Sequence, residues 1–143
     1  SWGQNPMVEK ERFDDWQYPE IVEGKPTKYN WVVQNVGGLK LGYKTDIGAF
    51  SYINAKYGVT IEDNVQIGSH CSIYSVSTID GKSDTVTLKK GCRIGSHSVV
   101  MPGVTIGENA IVGAFSFVNK DIPDNRTAFG VPVRIIIGKM KAM

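Results

Sequence analysis

The sequence LKKGCRIGSHSVVMPGVTIGENAIVGAFSFVNKDIP, residues 88–123, decides the fold of this chain. Cut into sixes, it has an aliphatic residue at the head of every block: Leu88, Ile94, Val100, Ile106, Val112 and Val118. The residue four after each of the first five heads is small or branched: Cys92, Ser98, Val104, Ala110 and Ser116. A period of six is typical of a solenoid in which each flat face takes one hexapeptide. The sequence therefore predicts coils of about 18 residues with three faces, stacked at the ~4.8 Å strand spacing, with the heads pointing inward.

The period of six extends back to Leu41, with two interruptions. The block INAKYGVT (53–60) is two residues too long, and IDGKSDTVT (79–87) is three too long. Extra residues cannot enter the prism, so they are expected to bulge at its corners. We therefore predict a single domain with a cap at 1–34, a solenoid at 35–123 that carries an external loop at 79–87, and a tail at 124–143.

Both ends of the chain lack the period. Residues 1–34 carry aromatic side chains among charges, which predicts a short helix at about 9–16 and an irregular cap over the open end of the prism. Without a cap, that end would expose its core and its unpaired strand edges. Pro123 and Pro132 disrupt a strand ladder. The apolar run Val131–Ile137 is therefore expected to fold back over the last coil or onto a neighbour.

Assigning the heads to three faces in turn predicts which residues stack. The first face takes Ile47, Ile67, Leu88 and Ile106; the second takes Ile53, Ile73, Ile94 and Val112; the third takes Leu41, Ile61, Ile79, Val100 and Val118. Cys71 and Cys92 then stand four after first-face heads in successive coils, and we expect them to stack inside one corner as reduced thiols.

The position three after each head is expected to point outward, near a corner. It places Phe50 and His70 one above the other on the first face, and His97 and Phe115 on the second. Outward histidines are usually solvated and outward phenylalanines usually lie at oligomer contacts, but that explanation is weaker here because these side chains share faces with the candidate site positions given below.

The composition excludes several classes of function. A net charge of +2 without a basic stripe argues against a dedicated nucleic-acid binder. No apolar run approaches the ~20 residues of a membrane span, and no signal peptide is recognisable. Two cysteines without a CxxC motif predict a reduced, cytoplasmic location.

The block IGSHSVVMPGVTIGENAIVGAFSFVNKDIP, followed by GVPVR (130–134), resembles the hexapeptide-repeat acyltransferases, and among them the maltose, galactoside and related sugar acetyltransferases. The resemblance implies an all-β fold, the left-handed parallel β-helix. It also implies a homotrimer that binds acetyl-CoA in the groove between neighbouring prisms and passes the acetyl group directly to a sugar or nucleotide-sugar acceptor. Synthesis of surface polysaccharide or lipopolysaccharide is the pathway that it implies.

The same resemblance assigns residues on the coenzyme A side of the site. The matching positions are Ser96, Gly113, Ala114, Asn119, Lys120 and Arg134. Small residues at an outer edge let a ligand approach the backbone closely, and Lys and Arg can meet the phosphates of coenzyme A. The geometry of the repeat would account for Gly113 equally well.

On the acceptor side, the chain departs from the family it resembles. In the maltose and galactoside branch a histidine just before the external loop takes the proton of the acceptor hydroxyl, but here the stretch reads IYSVSTID, with Ser77 or Thr78 in that place. Neither side chain is a base at neutral pH. Asn54 matches an asparagine that lines the acceptor pocket, and Asp80 in the external loop is a further candidate substrate contact.

Three explanations for the missing histidine stay open. In the first, His97 or His70 is the general base, a role that suits a neutral imidazole. In the second, the acceptor is an amine of an amino sugar, which is partly unprotonated at neutral pH and attacks a thioester without a strong protein base. In the third, the chain is a non-catalytic trimeric scaffold or assembly subunit. Metal catalysis of the γ-carbonic anhydrase kind is not expected, because that site needs three histidines and the chain has two.

Overall fold

The computed structural model describes residues 15–137, and its strands form three parallel sheets, here called faces A, B and C. Face A contains β1 (Val32–Gln34), β4 (Tyr52–Asn54), β7 (Ser72–Tyr74), β12 (Val99–Val100) and β15 (Phe117–Val118). Face B contains β2 (Leu39–Leu41), β5 (Val59–Ile61), β10 (Val86–Leu88) and β13 (Thr105–Ile106). Face C contains β3 (Asp46–Ile47), β6 (Gln66–Ile67), β11 (Arg93–Ile94), β14 (Ile111–Val112), β16 (Thr127–Phe129) and the antiparallel β17 (Arg134–Ile135). The predicted parallel β-helix is thus confirmed.

The six-residue repeat forms this structure because each position has one role. The heads fill the prism and are 6% exposed or less from Ile47 to Val118, apart from Ile79. The residue three after a head adopts a positive φ at the corners, as Asn64 (60°) and Asn109 (57°) do. Asparagine tolerates this left-handed backbone better than most residues. The residue after that is buried inside the corner, so it must be small or compact.

The predicted assignment of faces is wrong beyond the external loop. Ile79 was expected to point into the prism but is fully exposed, because the chain leaves the coil after Ser75. It forms an antiparallel hairpin, β8 (Val76–Ser77) and β9 (Lys82–Ser83), and rejoins face B at Val86. The excursion therefore spans 76–85, not 79–87. Leu88 consequently pairs with Ile61, and every later head lies one face away from its predicted place.

This shift separates the two cysteines that were predicted to stack. Cys71 follows β6 and lies in the corner between faces C and A, where its thiol donates to the carbonyl oxygen of Gly95 at 3.3 Å. Cys92 follows β10 and lies in the corner between faces B and C. Both are free and at most 1% exposed, so their prediction as reduced core thiols is confirmed.

We expect neither thiol to react in the native protein. Burial raises the pKa of Cys71, and it raises that of Cys92 to about 12, whereas the reactive form of cysteine is the thiolate. Ellman's reagent at pH 8 should therefore label no thiol in the native protein and two after denaturation in guanidinium chloride. Rapid labelling of the native chain would show that these corners open.

The ends of the solenoid differ in detail from their predicted boundaries. β1 already belongs to face A and Trp31 is buried, so the coil begins inside the predicted cap. Most of the predicted helix, 9–14, lies outside the described residues. At the other end, β16 continues face C within the predicted tail, and β17 then folds back antiparallel on it, as expected for the run after Val131. A 3₁₀ helix spans Val36–Gly38. Within residues 15–137 no helix has the length and apolar character needed to cross a membrane.

Candidate active site

A pocket of about 460 Å³ lies on the outer surface of face A, beneath the β8–β9 hairpin. It is lined by Tyr52, Asn54, Tyr74, Val76, Ser77, Thr78, Ile79, Asp80, Val99, Met101 and Phe117. The structure thus brings together the three residues predicted to contact the acceptor, Asn54, Ser77 and Asp80. A concave apolar surface with a few convergent polar groups is the usual form of a small-molecule site.

Asn54 is fixed at the edge of this pocket by hydrogen bonds on both sides of its amide. Its Oδ1 accepts from the side chain of Asn35 (3.0 Å) and from the backbone N–H of Lys56 (3.1 Å). Its Nδ2 donates to the phenol oxygen of Tyr52 at 3.3 Å. The amide carries two N–H groups, so the second one is available to a ligand.

The hairpin supplies the charged group of the pocket. Asp80 accepts a hydrogen bond from the hydroxyl of Ser77, which is the main reason that the pKa of this carboxyl lies below its usual value. The ammonium of Lys82 lies 3.8 Å from Oδ2 of the carboxylate and adds to the same effect. Asp80 is therefore ionised at neutral pH, and it holds the hydroxyl of Ser77.

Two tyrosines that the sequence analysis missed also line this pocket. The rings of Tyr52 and Tyr74 lie 5.9 Å apart on adjacent strands, and burial raises the pKa of Tyr52. The phenol of Tyr52 donates to the side-chain oxygen of Gln34. The sequence contained the pattern that indicates both tyrosines. Tyr52 directly precedes an inward head and Tyr74 directly follows one, so both side chains must point outward from the same face.

The two histidines lie outside this pocket, in one column of rings. Phe50, His70, His97 and Phe115 stack along the corner between faces C and A, each at a positive φ. The centroid distances along the column are 5.2, 4.7 and 4.9 Å, and the imidazoles of His70 and His97 are nearly parallel, at 7°. The expected pairs, Phe50 with His70 and His97 with Phe115, are confirmed, but their placement on two faces is wrong. All four rings share one corner because of the shift at the external loop.

The same corner carries two of the residues predicted to bind coenzyme A. Ser96 and Ala114 lie one above the other in successive coils, where Ser96 accepts a hydrogen bond from the backbone of Phe115. In the part of the chain that the structure describes, the backbone N–H groups of Ser96 and Ala114 donate to no protein group. Two N–H donors one coil apart, about 4.8 Å, are available to the oxygen acceptors of an extended ligand.

The other predicted coenzyme A residues are spread around the last coil. Asn119 and Lys120 are exposed at the corner between faces A and B, and Arg134 is exposed on β17 of face C. Gly113 has a structural explanation, because a Cβ there would lie 2.9 Å from the Cβ of Phe129. Packing alone thus requires glycine at 113.

No cluster of three histidine, cysteine, aspartate or glutamate side chains that could hold a metal ion occurs within 15–137.

Two models of repeat families match the chain. Residues 85–120 match the bacterial transferase hexapeptide (six repeats), and residues 58–78 match the hexapeptide repeat of succinyl-transferase. Neither match covers 79–84, the hairpin turn and β9, where the repeat is interrupted. Both fall on coils that build the face A pocket.

Similar proteins include galactoside O-acetyltransferase from Escherichia coli, which is 43% identical over 89 residues (56% of this chain and 44% of that protein). The dTDP-3-amino-3,6-dideoxy-α-D-galactopyranose 3-N-acetyltransferase of Aneurinibacillus thermoaerophilus is 54% identical over 48 residues (34% of this chain, 25% of that protein). This chain spans about half the length of the galactoside O-acetyltransferases that it matches.

Among solved structures, a galactoside acetyltransferase in complex with coenzyme A aligns with a TM-score of 0.66 and 30% identity. The alignment covers 96% of this chain and 70% of that one. It therefore includes the described coils and both corners of face A, and not the repeat alone. The chain accordingly belongs to the hexapeptide-repeat acetyltransferase family, and its fold is the left-handed parallel β-helix of that family.

Proposed function

We propose that this protein is an acetyl-CoA-dependent acetyltransferase whose acceptor is a hydroxyl or an amine of a sugar or nucleotide sugar. One observation carries the proposal: the pocket that holds Asn54, Ser77 and Asp80 lies on face A, and the adjoining corner presents the unpaired N–H groups of Ser96 and Ala114. The E. coli relative is named for O-acetylation and the A. thermoaerophilus relative for N-acetylation, so the relatives support both kinds of acceptor.

In this proposal each of these groups has a role in the transfer. The N–H groups of Ser96 and Ala114 hold the pantetheine arm along the corner, while Lys120 and Arg134 meet the coenzyme phosphates. The thioester then reaches the pocket, where the acceptor lies between Asn54 and the hairpin. The remaining N–H of Asn54 steadies the oxygen of the tetrahedral intermediate. For a hydroxyl acceptor, His97 or His70 is the candidate base.

The setting follows from the family resemblance. The protein acts as a homotrimer in the cytoplasm, where acetyl-CoA and nucleotide sugars are available, and its product enters surface polysaccharide or lipopolysaccharide synthesis. The exposed rings of Phe50 (65%) and Phe115 (66%) support a contact between copies of the chain at this corner.

Calorimetric titration with acetyl-CoA, together with the mass in solution, tests the proposal. We expect one site per chain with affinity on the order of micromolar, about −8 kcal/mol, in a trimer. A trimer that does not bind acetyl-CoA would contradict the enzyme proposal and leave the scaffold as the better description.

Removing the two cations should weaken coenzyme binding without altering the fold. Each exposed ion pair contributes up to about 1 kcal/mol, so the double variant K120A/R134A is expected to bind acetyl-CoA about tenfold more weakly. The loss should shrink at high salt, because the contacts are screened. Lys40→Ala, which removes one exposed positive charge on face B of the first coil, is the control and should bind normally. Equal affinities for the double variant and the wild type would remove both residues from the site.

A further inference from the structure

Among the described residues that line the face A pocket there is no histidine, and the carboxylate of Asp80 is the only group that can accept a proton at neutral pH. Of the described residues that line it, only Tyr52, Tyr74 and Asp80 are titratable. A phenol is protonated at neutral pH, and burial raises the pKa of Tyr52 further. Asp80 is ionised, but its hydrogen bond from Ser77 lowers its pKa and makes it a weaker base than an ordinary carboxylate.

The histidines are not arranged as a general base for this pocket. The faces of the His97 ring are covered by His70 on one side and by Phe115 on the other. Within residues 15–137, no carboxylate or carbonyl hydrogen-bonds to either imidazole, so nothing selects a tautomer or orients a nitrogen. A catalytic histidine usually has such an orienting partner.

The charge of the pocket points in the same direction. Asp80 is the one charged residue among the described residues that line it, since Lys82 pairs with the carboxylate from outside the lining. An ionised carboxylate retains several acceptor sites while paired with a single ammonium. It attracts a cationic acceptor and gives no comparable advantage to a neutral hydroxyl.

From these observations we infer that the acceptor is a primary amine of an amino sugar, bound with its nitrogen between the carboxylate of Asp80 and the amide of Asn54. The inference rests on the proposed function and narrows it to one substrate class. The hairpin thereby determines specificity, through Ser77 and Asp80, which are three residues apart.

The chemistry of an amine needs no protein base. The ammonium that Asp80 attracts must first lose one proton to solvent; because a sugar amine titrates below lysine, part of it is unprotonated at pH 7 and carries a free lone pair. The nitrogen attacks the thioester carbonyl carbon, the new C–N bond forms, and the C–S bond breaks. The proton that the nitrogen loses is taken up by the departing thiolate, so the products are the amide and the free thiol of coenzyme A. A hydroxyl attacks a thioester only when a base removes its proton.

The test uses acceptor pairs that differ only in nitrogen and oxygen. The full chain with acetyl-CoA would be assayed against glucosamine and glucose, galactosamine and galactose, and dTDP-3-amino-3,6-dideoxygalactose and dTDP-6-deoxygalactose. We expect release of free thiol with at least one amine and an at least tenfold lower kcat/KM for its hydroxyl partner. Transfer to hydroxyls alone, or to none of the amines, would overturn the inference. Normal acetyl-CoA binding in that case would leave the proposed function standing, whereas absent binding would remove both.

Two variants test the inference by a second route, which does not depend on which sugar of the panel is the acceptor. Asp80→Asn should raise KM for the amine several-fold with little change in kcat, because it removes the attracting charge but not the reacting groups. The double variant H70N/H97N keeps residues that tolerate positive φ and should retain most amine transfer. A fall of about 100-fold or more in the double variant, with a native circular dichroism spectrum, would show that a histidine is the base and overturn the inference.

Discussion

Replacing Gly95 with alanine is expected to lower the melting temperature by about 10 °C, the largest effect on stability that we predict for a single methyl group. An added Cβ would lie 2.4 Å from the backbone nitrogen of Ala114 and 2.7 Å from its Cα. Both atoms belong to the next coil, so relief requires the two coils to separate. Overpacking costs typically 1–3 kcal/mol, and about 3 kcal/mol corresponds to such a shift in a chain of this size.

Gly37→Ala is the matched control for this change. No heavy atom lies within 4 Å of a Cβ at Gly37, and like Gly95 it has a φ outside the left-handed region. Its effect should therefore stay within about 1 kcal/mol in either direction. Thermal melts of both variants by circular dichroism decide the matter. Similar melting temperatures for the two would mean that the coils are more loosely stacked than the structure has them.

Replacing Val99 with arginine is expected to abolish turnover while leaving the fold intact. Val99 points outward from β12 and lines the pocket of face A, so the long side chain would occupy the space of the acceptor. Misplacement of a reactant by about 1 Å can cost 100-fold in rate, and we expect a loss of at least about that size. Acetyl-CoA binding should persist, because the donors at Ser96 and Ala114 are backbone groups.

Thr87→Arg provides the comparison for this variant. Thr87 points outward from β10 on face B, so the same side chain is added to the outside of a different face of the prism. Its turnover and mass in solution should match those of the wild type. The steady-state rate with the best acceptor, together with calorimetry, measures both variants. Normal turnover by Val99→Arg would show that acetyl transfer occurs elsewhere on the chain.

The residues of the site divide into those that the sequence could indicate and those that it could not. Asn54 and Ser77 were named from the family resemblance and Asp80 from its position in the external loop, and the structure places all three in one pocket. Val99 and Phe117 were not named, although both precede an inward head and so point outward from their strands. Their common pocket depends on the stacking order of the strands, which residue spacing alone does not give across an interruption.

The hairpin is the reason that the face assignment failed. A period fixes the face of every head only along an uninterrupted run. Ile79 stands six residues after Ile73 and imitates the next head, yet its side chain is fully exposed at the hairpin. The hairpin thereby separates the two cysteines that were predicted to stack. It also brings together two histidines that were assigned to different faces, and their ring centroids lie 4.7 Å apart.

The sequence by itself determined the parallel coil, its inward heads, its compact corner residues and its family, because each of these depends on contacts that repeat every six residues. The tertiary structure decided which coils lie over one another after the excursion at 76–85. It therefore decided that His70 and His97 form one column, that Tyr52 lines one pocket with Asp80, and that neither histidine lines that pocket. These are contacts between residues about 20 or more positions apart. They depend on how many residues the hairpin takes out of the coil. The packing of the whole prism sets that number, and no local sequence pattern encodes it.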